Sequence, residues 1–328
     1  MNPTESSLKL ILLLPIYNDW ECLPILLARL DKSLANQNGS VHVLIIDDGS
    51  DQPIPNEPVP SQLQRISRID CLRLRRNLGH QRAVAIGLSY IHEEHACDAV
   101  LVMDADGEDK PEDAVRLVQH WQATGRRQVT FAARIRRSES RIFRVCYFAY
   151  RLLHRILTGI SVRFGNFSIV PSEHLSALSV VSDSWNHYAA SILKARIPFE
   201  SLPTNRGTRF AGQSKLNFVD LIAHGISAIS VFAELIAVRV ILSTLVLVFL
   251  ALVLLLIVVG IRLCSTLAIP GWATNAIGFL LVIVIQMLTV AVSLTLAIFF
   301  NRSSLNFLPS RDYWYFVGAV RTLYEHEH

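Results

Sequence analysis

In the first 135 residues, short apolar runs alternate with segments of helical periodicity. The apolar runs predict strands at residues 8–14, 42–46, 71–74, 99–103 and 129–133. The periodic segments predict helices at residues 23–34, 81–92 and 111–121. Strands that alternate with helices indicate an α/β fold, in which helices cover both faces of a mainly parallel sheet. Strands that are apolar throughout agree with burial on both faces.

The second half of the chain contains two long stretches without charge. Residues 240–261 and 263–301 carry no Asp, Glu, Lys or Arg, and Pro270 and Gly271 lie near the turn between them. About 20 apolar helical residues cross a bilayer. We therefore predict a hairpin of two transmembrane helices. The alternative, a pair of buried core helices, is disfavoured because the stretches are long and almost free of polar residues.

Positive charge predicts the orientation of this hairpin. Arg239, Arg302 and Arg311 flank its two ends, whereas the loop between the helices offers only Arg262. Lysine and arginine are enriched on the cytoplasmic side of membrane proteins. Five scattered cysteines agree with a reducing compartment. We expect a multi-pass protein of the inner, cytoplasmic membrane whose N-terminal part lies in the cytoplasm.

These patterns divide the chain into segments. No secretory signal is expected, because the N-terminal apolar run is too short for one. The predicted segments are a cytoplasmic α/β domain at 1–216, an interfacial amphipathic helix at 217–236, a membrane hairpin at 237–300 with helices at about 238–261 and 274–299, and a cytoplasmic tail at 301–328.

Arginine is concentrated in one part of the α/β domain. Between Arg126 and Arg163 the chain has ten arginines and one acid, Glu139. Large apolar residues alternate with these arginines, which predicts a basic amphipathic helix at 139–160. Beside a membrane anchor, such a helix suits an anionic lipid surface better than nucleic acid. An ordinary solvated helix is the alternative.

Polar side chains follow four of the predicted strands. These segments are Pro15-Ile16-Tyr17-Asn18-Asp19, Asp47-Asp48-Gly49-Ser50, Arg76-Asn77-Leu78-Gly79-His80 and Asp104-Ala105-Asp106-Gly107-Glu108. Each alone is compatible with turn chemistry. The carboxyl ends of parallel strands meet at one edge of a sheet, where ligands bind in open α/β folds. Four such segments therefore predict a ligand site at this edge.

A specific chemical role, binding of a divalent cation, is expected for the pair Asp104 and Asp106. A diphosphate is best neutralised by a divalent cation, and Mg²⁺ or Mn²⁺ is typically held by one or two carboxylates together with the phosphates. The alternative is an acidic loop that caps the helix beginning at Pro111. The chain has no P-loop motif and no G-x-G-x-x-G after its first strand, which disfavours a P-loop enzyme and a dinucleotide dehydrogenase.

These segments, in this order and spacing, resemble the family 2 inverting glycosyltransferases of GT-A fold. The resemblance covers residues 8–216 and is strongest to the polyprenyl-phosphate members, such as dolichyl-phosphate mannose synthase and bactoprenol-phosphate glucosyltransferase. Arg209, Ser214 and Lys215 resemble the family's basic donor and acceptor loop. Asn166 stands where the family often has Asp, and the Q-x-x-R-W signature of processive synthases is absent.

The resemblance implies a role for each matching residue. Binding of the nucleotide sugar is implied for Pro15, Tyr17, Asp19, Asp48, Asn77, Asp104, Arg209 and Ser214. Binding of the Mg²⁺ or Mn²⁺ cofactor is implied for Asp104, Asp106 and Glu108, the last replacing a Gln of many relatives. Binding of the acceptor phosphate is assigned to Arg134, Arg136, Arg137 and Lys215. The residues expected to take part in catalysis are Asp106, Arg209, Lys215 and Asp183.

The expected reaction moves a sugar from a nucleotide-sugar donor to a polyprenyl (undecaprenyl- or dolichyl-type) phosphate. This acceptor needs no general base because it is already anionic. Alternatively, the acceptor is a hydroxyl of a glycolipid or saccharide, with Asp183 or His187 as the base. A non-catalytic membrane scaffold is a third possibility. The expected partners are the donor, the lipid-linked acceptor, the membrane and a second copy of the chain in a homo-oligomer, but no nucleic acid.

Overall fold

An eight-stranded sheet and a pair of long apolar helices make up the protein. The computed structural model describes residues 7–134, 155–159, 164–212, 225–264, 271–303 and 307–326, with the side chains of 301–303 left out. The chain divides into two units. The sheet unit is Met1–Tyr150, Ser161–Val231 and Asn306–His328, and the hairpin unit is Arg151–Ile160 and Phe232–Leu305.

The elements follow one another in α/β order. The strands are β1 (Leu8–Ile16), β2 (Gly39–Asp47), β3 (Ile66–Leu74), β4 (Ala99–Val102), β5 (Val129–Arg134), β6 (Ser168–Pro171), β7 (Phe199–Thr204) and β8 (Val317–Glu325). The helices are α1 (Leu23–Ser33), α2 (His80–Glu94), α3 (Pro111–Ala123), α4 (Leu175–Ser179), α5 (Tyr188–Lys194), α6 (Ala233–Cys264), α7 (Trp272–Ser303) and α8 (Pro309–Asp312). Short 3₁₀ turns lie at Ser172–His174, Ser182–Trp185 and Tyr313–Tyr315.

The sheet is mainly parallel, as the sequence predicts. Its strand order is β7-β5-β6-β4-β1-β2-β3-β8. The strands β1, β2, β3 and β4 run parallel, and β6 and β8 run antiparallel to their neighbours. Strand β1 lies between β2 and β4, so the connections leave it in opposite directions. In open α/β sheets, the ligand-binding crevice lies at such a switch point, here beyond the carboxyl ends of β1 and β4.

Alternate side chains of β1 enter two different cores. Leu10, Leu12 and Leu14 pack in the cluster that includes α1 and α3. Ile11 and Leu13 pack in the cluster that includes α2. Because neighbouring strand residues point to opposite faces, a strand that is apolar throughout is buried on both sides. The prediction of helices on both faces is therefore confirmed.

The C-terminal segment differs from the prediction. Residues 301–328 were expected to form a tail, but β8 pairs antiparallel with β3 from Arg68↔Glu325 to Leu74↔Val317. The hydroxyl of Thr322 donates to the buried Asp70 Oδ1 at 2.7 Å. The prediction was wrong here because β8, with the sequence VGAVRTLYE, is an exposed edge strand without a continuous apolar run.

The hairpin unit contains the two predicted apolar helices. The predicted ranges 238–261 and 274–299 lie inside α6 and α7, which are long and apolar enough to cross a membrane. The predicted amphipathic helices fall mostly outside the described residues. Within them, residues 155–158 and 225–230 are helical.

Candidate functional site

The loop after β1 is tied to the loop after β2. The Tyr17 hydroxyl donates to Asp51 Oδ2 at 2.9 Å, and this hydrogen bond raises the pKa of Tyr17. The backbone N–H of Asn18 donates to Ser50 Oγ at 2.9 Å. Asn18 has a φ of 55°, a left-handed conformation that Asn tolerates better than most residues. Tyr17 is thereby held at the edge of the crevice, while Pro15 is buried within β1.

Asp48 shapes the wall of the crevice. It is 3% exposed, and its two carboxylate oxygens each accept a backbone N–H, from Leu78 and Gly79, at 2.8 Å. Burial raises the pKa of Asp48, and the two amide hydrogen bonds oppose that shift. Both oxygens are thus used by the loop that begins α2. The same loop carries the exposed Asn77.

The loop after β4 concentrates negative charge. The Asp104 amide donates to Asp109 Oδ2 at 3.0 Å, and Arg134 Nη2 donates to Asp109 Oδ1 at 3.0 Å. Burial and repulsion by Asp104 raise the pKa of Asp109, whose side chain is 2% exposed, to about 7. Loss of surrounding water and repulsion by Asp106 raise the pKa of Asp104 to about 7, although 36% of its side chain is exposed. Such a site favours a cation.

Arg209 connects two of the strand-end loops. Its Nη1 donates to Asp106 Oδ2 at 3.0 Å, and its Nη2 donates to Asp19 Oδ1. Asp106 Oδ1 accepts the Glu108 amide at 2.9 Å. The structure therefore brings together three predicted site residues from distant parts of the chain.

Residues 205–212 lie directly against the acidic loop. The Gly207 amide donates to the Glu108 carbonyl at 2.8 Å, and the Phe210 amide donates to the Asp106 carbonyl at 2.9 Å. A Cβ at Gly107 would lie 2.7 Å from the Phe210 ring, so this position needs glycine. Arg206 forms an ion pair with the Glu108 carboxylate.

His80 and Asn166 adjoin the acidic loop and were not predicted as site residues. His80 Nε2 lies 3.4 Å from Asp104 Oδ1 and 2.7 Å from Asn166 Nδ2. Asn166 Oδ1 is buried and has no hydrogen-bond partner among the described atoms. The sequence signals were available, because His80 ends the third polar segment and Asn166 replaces the family's Asp. Asp109 carried no motif signal at all.

The predicted metal ligands do not form a three-carboxylate cluster. Within the described ranges, a group of three metal-ligating side chains with atoms inside 4.8 Å occurs at His42, Asp70 and His95. Both Asp70 oxygens there already accept hydrogen bonds, from Thr322 and from Arg68. In the acidic loop, a cation held by Asp104 and Asp106 would share its remaining positions with phosphate oxygens, and it would replace hydrogen bonds that Asp106 makes with Arg209 and the Glu108 amide. Glu108 is paired with Arg206 instead.

The residues named for a hydroxyl acceptor have local partners. Asp183 Oδ2 forms an ion pair with Lys194 Nζ at 2.7 Å. His187 is 4% exposed, and its Nδ1 accepts the Ala190 amide at the start of α5. Neither interaction involves the acidic loop. The predicted residues Arg136, Arg137, Ser214 and Lys215 lie outside the described part of the chain, and their roles stay predictions.

The mainly parallel sheet makes this an α/β protein. Acidic side chains lie at the carboxyl ends of its strands, where the switch point favours binding of a ligand with a cation. The model of the glycosyl transferase family 2 matches residues 12–177, just over half of the chain, so the chain belongs to that family. The matched range includes the first four strand-end segments and their acidic pair. The fold is the GT-A-like sheet expected from the resemblance.

Curated relatives match a shorter part of the chain. The undecaprenyl-phosphate 4-deoxy-4-formamido-L-arabinose transferase of Erwinia tasmaniensis is 32% identical over 117 residues, which is 35% of each chain. The protein of the same name from Klebsiella pneumoniae is 31% identical over 111 residues, which is 34% of this chain and 33% of the relative. The chain thus spans about a third of the length of the curated relatives it matches.

Solved structures resemble the protein at low sequence identity. Mannosyl-3-phosphoglycerate synthase from Rubrobacter xylanophilus is 14% identical, with a TM-score of 0.48 over 69% of this chain and 73% of its own. Glucosyl-3-phosphoglycerate synthase from Mycobacterium tuberculosis, in complex with Mn²⁺, UDP-glucose and phosphoglyceric acid, is 12% identical, with a TM-score of 0.45 over 70% of this chain and 79% of its own.

Proposed function

We propose that the protein transfers a sugar from a nucleotide-sugar donor to a polyprenyl phosphate at a membrane surface. One observation carries the proposal: Arg209 joins Asp106 to Asp19 over the crevice of a family 2 glycosyltransferase sheet. The curated relatives, which are named as undecaprenyl-phosphate sugar transferases, support the choice of acceptor. The two apolar helices support action beside a bilayer.

The donor would occupy the crevice between the strand-end loops. Tyr17 and Asn77 border the side where the nucleoside would lie, and Asp104 and Asp106 border the side of the diphosphate. Asp104 and Asp106 would hold Mg²⁺ or Mn²⁺. A bound divalent cation supplies charge neutralisation for the departing nucleoside diphosphate. The raised pKa of Asp104, about 7, supports this assignment because a cation favours the ionised carboxylates.

Arg209 would exchange partners when the donor binds. Its guanidinium neutralises Asp106 and Asp19. If Asp106 held a cation, the same guanidinium would be available to a diphosphate oxygen. Arginine suits this role because its planar fork matches phosphate oxygens. Arg134 would stay on Asp109 and fix the shape of the acidic loop.

The acceptor phosphate would need orientation rather than deprotonation. A phosphate monoester is largely ionised at neutral pH, so its oxygen can attack without a general base. Asp183 and His187, the bases considered for a hydroxyl acceptor, have local roles at α5. This favours the phosphate acceptor over the hydroxyl acceptor.

The helices α6 and α7 would anchor the enzyme as a transmembrane hairpin. Because β8 pairs with β3, the chain returns to the sheet unit after α7. If α6 and α7 cross the bilayer in opposite directions, the chain returns to the side on which the sheet unit lies. The arginines that flank the hairpin favour a cytoplasmic sheet unit at the inner membrane. In this arrangement the predicted helices at 139–160 and 217–236 would lie at the interface.

A product assay tests the proposal. Purified full-length protein is incubated with Mg²⁺ or Mn²⁺, undecaprenyl phosphate and a panel of nucleotide sugars, and lipids are analysed by mass spectrometry. We expect one glycosyl phosphoryl lipid and one released nucleoside diphosphate. Transfer only to added hydroxyl acceptors would replace the acceptor assignment. Absence of both cation-dependent nucleotide binding and transfer to any acceptor would support the scaffold instead.

A further inference from the structure

The hairpin has a defined inner face on α6. Its buried and half-buried residues recur at alternating steps of four and three, which is the heptad spacing of packed helices. These residues are Ala237, Ile241, Thr244, Val248, Ala251, Leu255 and Val258. Small side chains at 237, 244 and 251 allow a close approach of the partner helix, as is common in membrane helix pairs.

The helix α7 presents a matching face to α6. Seven of its half-buried residues follow the same heptad spacing, and the two helices pack against each other. These residues are Ile277, Leu280, Val284, Met287, Ala291, Leu294 and Ile298. Positions between these steps point away from α6. Gln286 is one of them and is exposed.

Gln286 is a primary amide halfway along the apolar stretch Trp272–Phe300. The hydroxyls of Thr289 and Thr295 donate to the carbonyls of Ile285 and Ala291 one turn earlier, at 2.9 and 2.8 Å. In the described part of the chain, the Gln286 side chain has no such partner. Hydrocarbon offers no hydrogen bonds, and an unpaired amide there costs several kcal/mol.

We propose that Gln286 pairs with Gln286 of a second copy of this chain, so that the outer faces of two α7 helices form a dimer contact inside the bilayer. A carboxamide carries both donors and acceptors, so two of them related by a two-fold axis satisfy each other. Such an isologous contact uses the same patch on both chains. The inference rests on the transmembrane assignment made with the proposed function.

The surroundings of Gln286 favour the α7 helix of a second copy of the chain as its partner. Lipid chains offer no hydrogen bond at this depth, and phosphate groups lie at the bilayer surfaces rather than at its centre. Thr289, one turn away on the same outer face, is small enough to let a second helix approach. Interhelical polar contacts of this kind strengthen association modestly.

Dilution in liposomes measures the predicted contact. Full-length protein carrying donor or acceptor fluorophores is reconstituted at decreasing protein-to-lipid ratios, and energy transfer reports association. We expect Gln286→Leu to weaken dimerisation about tenfold, Gln286→Asn to retain most of it, and Leu256→Ala, a change at an exposed position of α6 outside the proposed contact, to leave it nearly unchanged. Equal association of the wild type and Gln286→Leu would overturn the proposal.

Cross-linking locates the contact. With Cys264 replaced by Ser, oxidation is expected to join two chains that carry Gln286→Cys. It is not expected to join chains that carry Met287→Cys, because Met287 faces α6. Cross-linking through both positions, or through neither, would contradict the assigned face.

Alkaline extraction tests the transmembrane assignment separately from the Gln286 contact. Protein that stays in the membrane but is monomeric would refute the Gln286 contact alone. Protein released into the supernatant would refute the transmembrane assignment and, with it, this contact. Co-purification of a different protein on the α7 face, lost in Gln286→Leu, would also overturn the pairing of two identical chains.

Discussion

The guanidinium of Arg209 donates to Asp106 Oδ2 at 3.0 Å, across 103 residues of sequence. Its second nitrogen donates to Asp19. Residues 205–212 are thereby attached both to the acidic loop and to the loop after β1. This arginine neutralises two carboxylates that would otherwise repel each other.

Replacing Arg209 tests its expected transfer from carboxylate to diphosphate. We expect Arg209→Ala to lower kcat/KM by about 100- to 1000-fold, the usual loss when a charge-stabilising group is removed. Arg209→Lys should recover part of the activity because it keeps the charge but not the planar fork. Steady-state rates over a range of donor concentrations give the measurement. Arg127→Ala, at an exposed position outside the site, is the matched control. Equal rates for Arg209→Ala and this control would remove Arg209 from the site.

Asp48→Asn separates a structural role from direct donor contact. An amide nitrogen in place of one oxygen cannot accept the N–H of Leu78 or Gly79. We expect the free energy of unfolding to fall by about 1–3 kcal/mol and the KM for donor to rise as the loop loosens. Thermal unfolding and kinetics are compared with Glu57→Gln in an exposed loop. An unchanged melting temperature with loss of nucleotide binding would instead favour the direct contact that the family resemblance implies.

Asp104→Asn is expected to remove activity without loss of stability. In the folded protein, loss of surrounding water and, after it, repulsion within the acidic loop raise the pKa of Asp104 and Asp109 to about 7. A neutral side chain relieves that repulsion, as is common where a site is built for function rather than for stability. Unfolding of cation-free protein at pH 8 should show an equal or higher melting temperature for the variant. A clear decrease would mean that the Asp104 carboxylate stabilises the fold.

The same raised pKa values fix the sign of a pH effect. Between 3.8, the ordinary value, and about 7, the folded protein holds protons that the unfolded chain releases. The contribution of these carboxyls to stability therefore falls as pH rises through this interval. Asp104→Asn should flatten the dependence in cation-free protein. Identical slopes for the variant and the wild type would contradict the coupling between Asp104 and Asp109.

Thr322→Val tests the attachment of β8. The change keeps the branched shape but leaves the buried Asp70 Oδ1 without its donor, which should cost about 1–3 kcal/mol. Burial tends to raise the pKa of Asp70, but hydrogen bonds from Arg68 and Thr322 lower it overall. Their stabilisation is complete above 3.8 and is lost as pH falls below it.

The difference between the wild type and Thr322→Val should therefore shrink in acid. Denaturant unfolding at pH 7 and pH 3 measures it, with Arg321→Ala on the exposed edge of the same strand as the control. A difference that is equal at both pH values would exclude the Asp70 carboxylate as the partner that matters.

Local patterns were sufficient to predict strands β1, β2, β4 and β5, but only the last four residues of β3 and no part of β7, which runs parallel to β5. The apolar runs that form β1, β2 and β4 are continuous and end in polar segments, so both their burial and their edge could be expected. The edge strand β8 lacks that signal because one side faces solvent and its neighbour β3 is more than 240 residues away. Pairings of that kind depend on tertiary structure and not on local periodicity.

The candidate site, like the sheet, was predicted only in part from local sequence. Asp104, Asp106 and Arg209 were expected from motifs, and the structure brings Asp106 and Arg209 into contact. Asp109 was missed because its importance comes from burial and from its ion pair with Arg134. His80 ends a polar segment, but local sequence alone did not indicate its approach to Asp104. Pairing of Glu108 with Arg206 likewise depends on how residues 205–212 fold back onto the acidic loop.

Sugar transfer by protein stripped of divalent cations measures whether the acidic pair acts through a bound cation. Full-length protein is treated with a chelator and assayed with donor and undecaprenyl phosphate before and after Mn²⁺ or Mg²⁺ is restored, beside the double variant Asp104→Ala, Asp106→Ala. The account expects transfer to stop without cation, to return with it in the wild type, and to stay absent in the variant. Undiminished transfer by the chelator-treated double variant would contradict it.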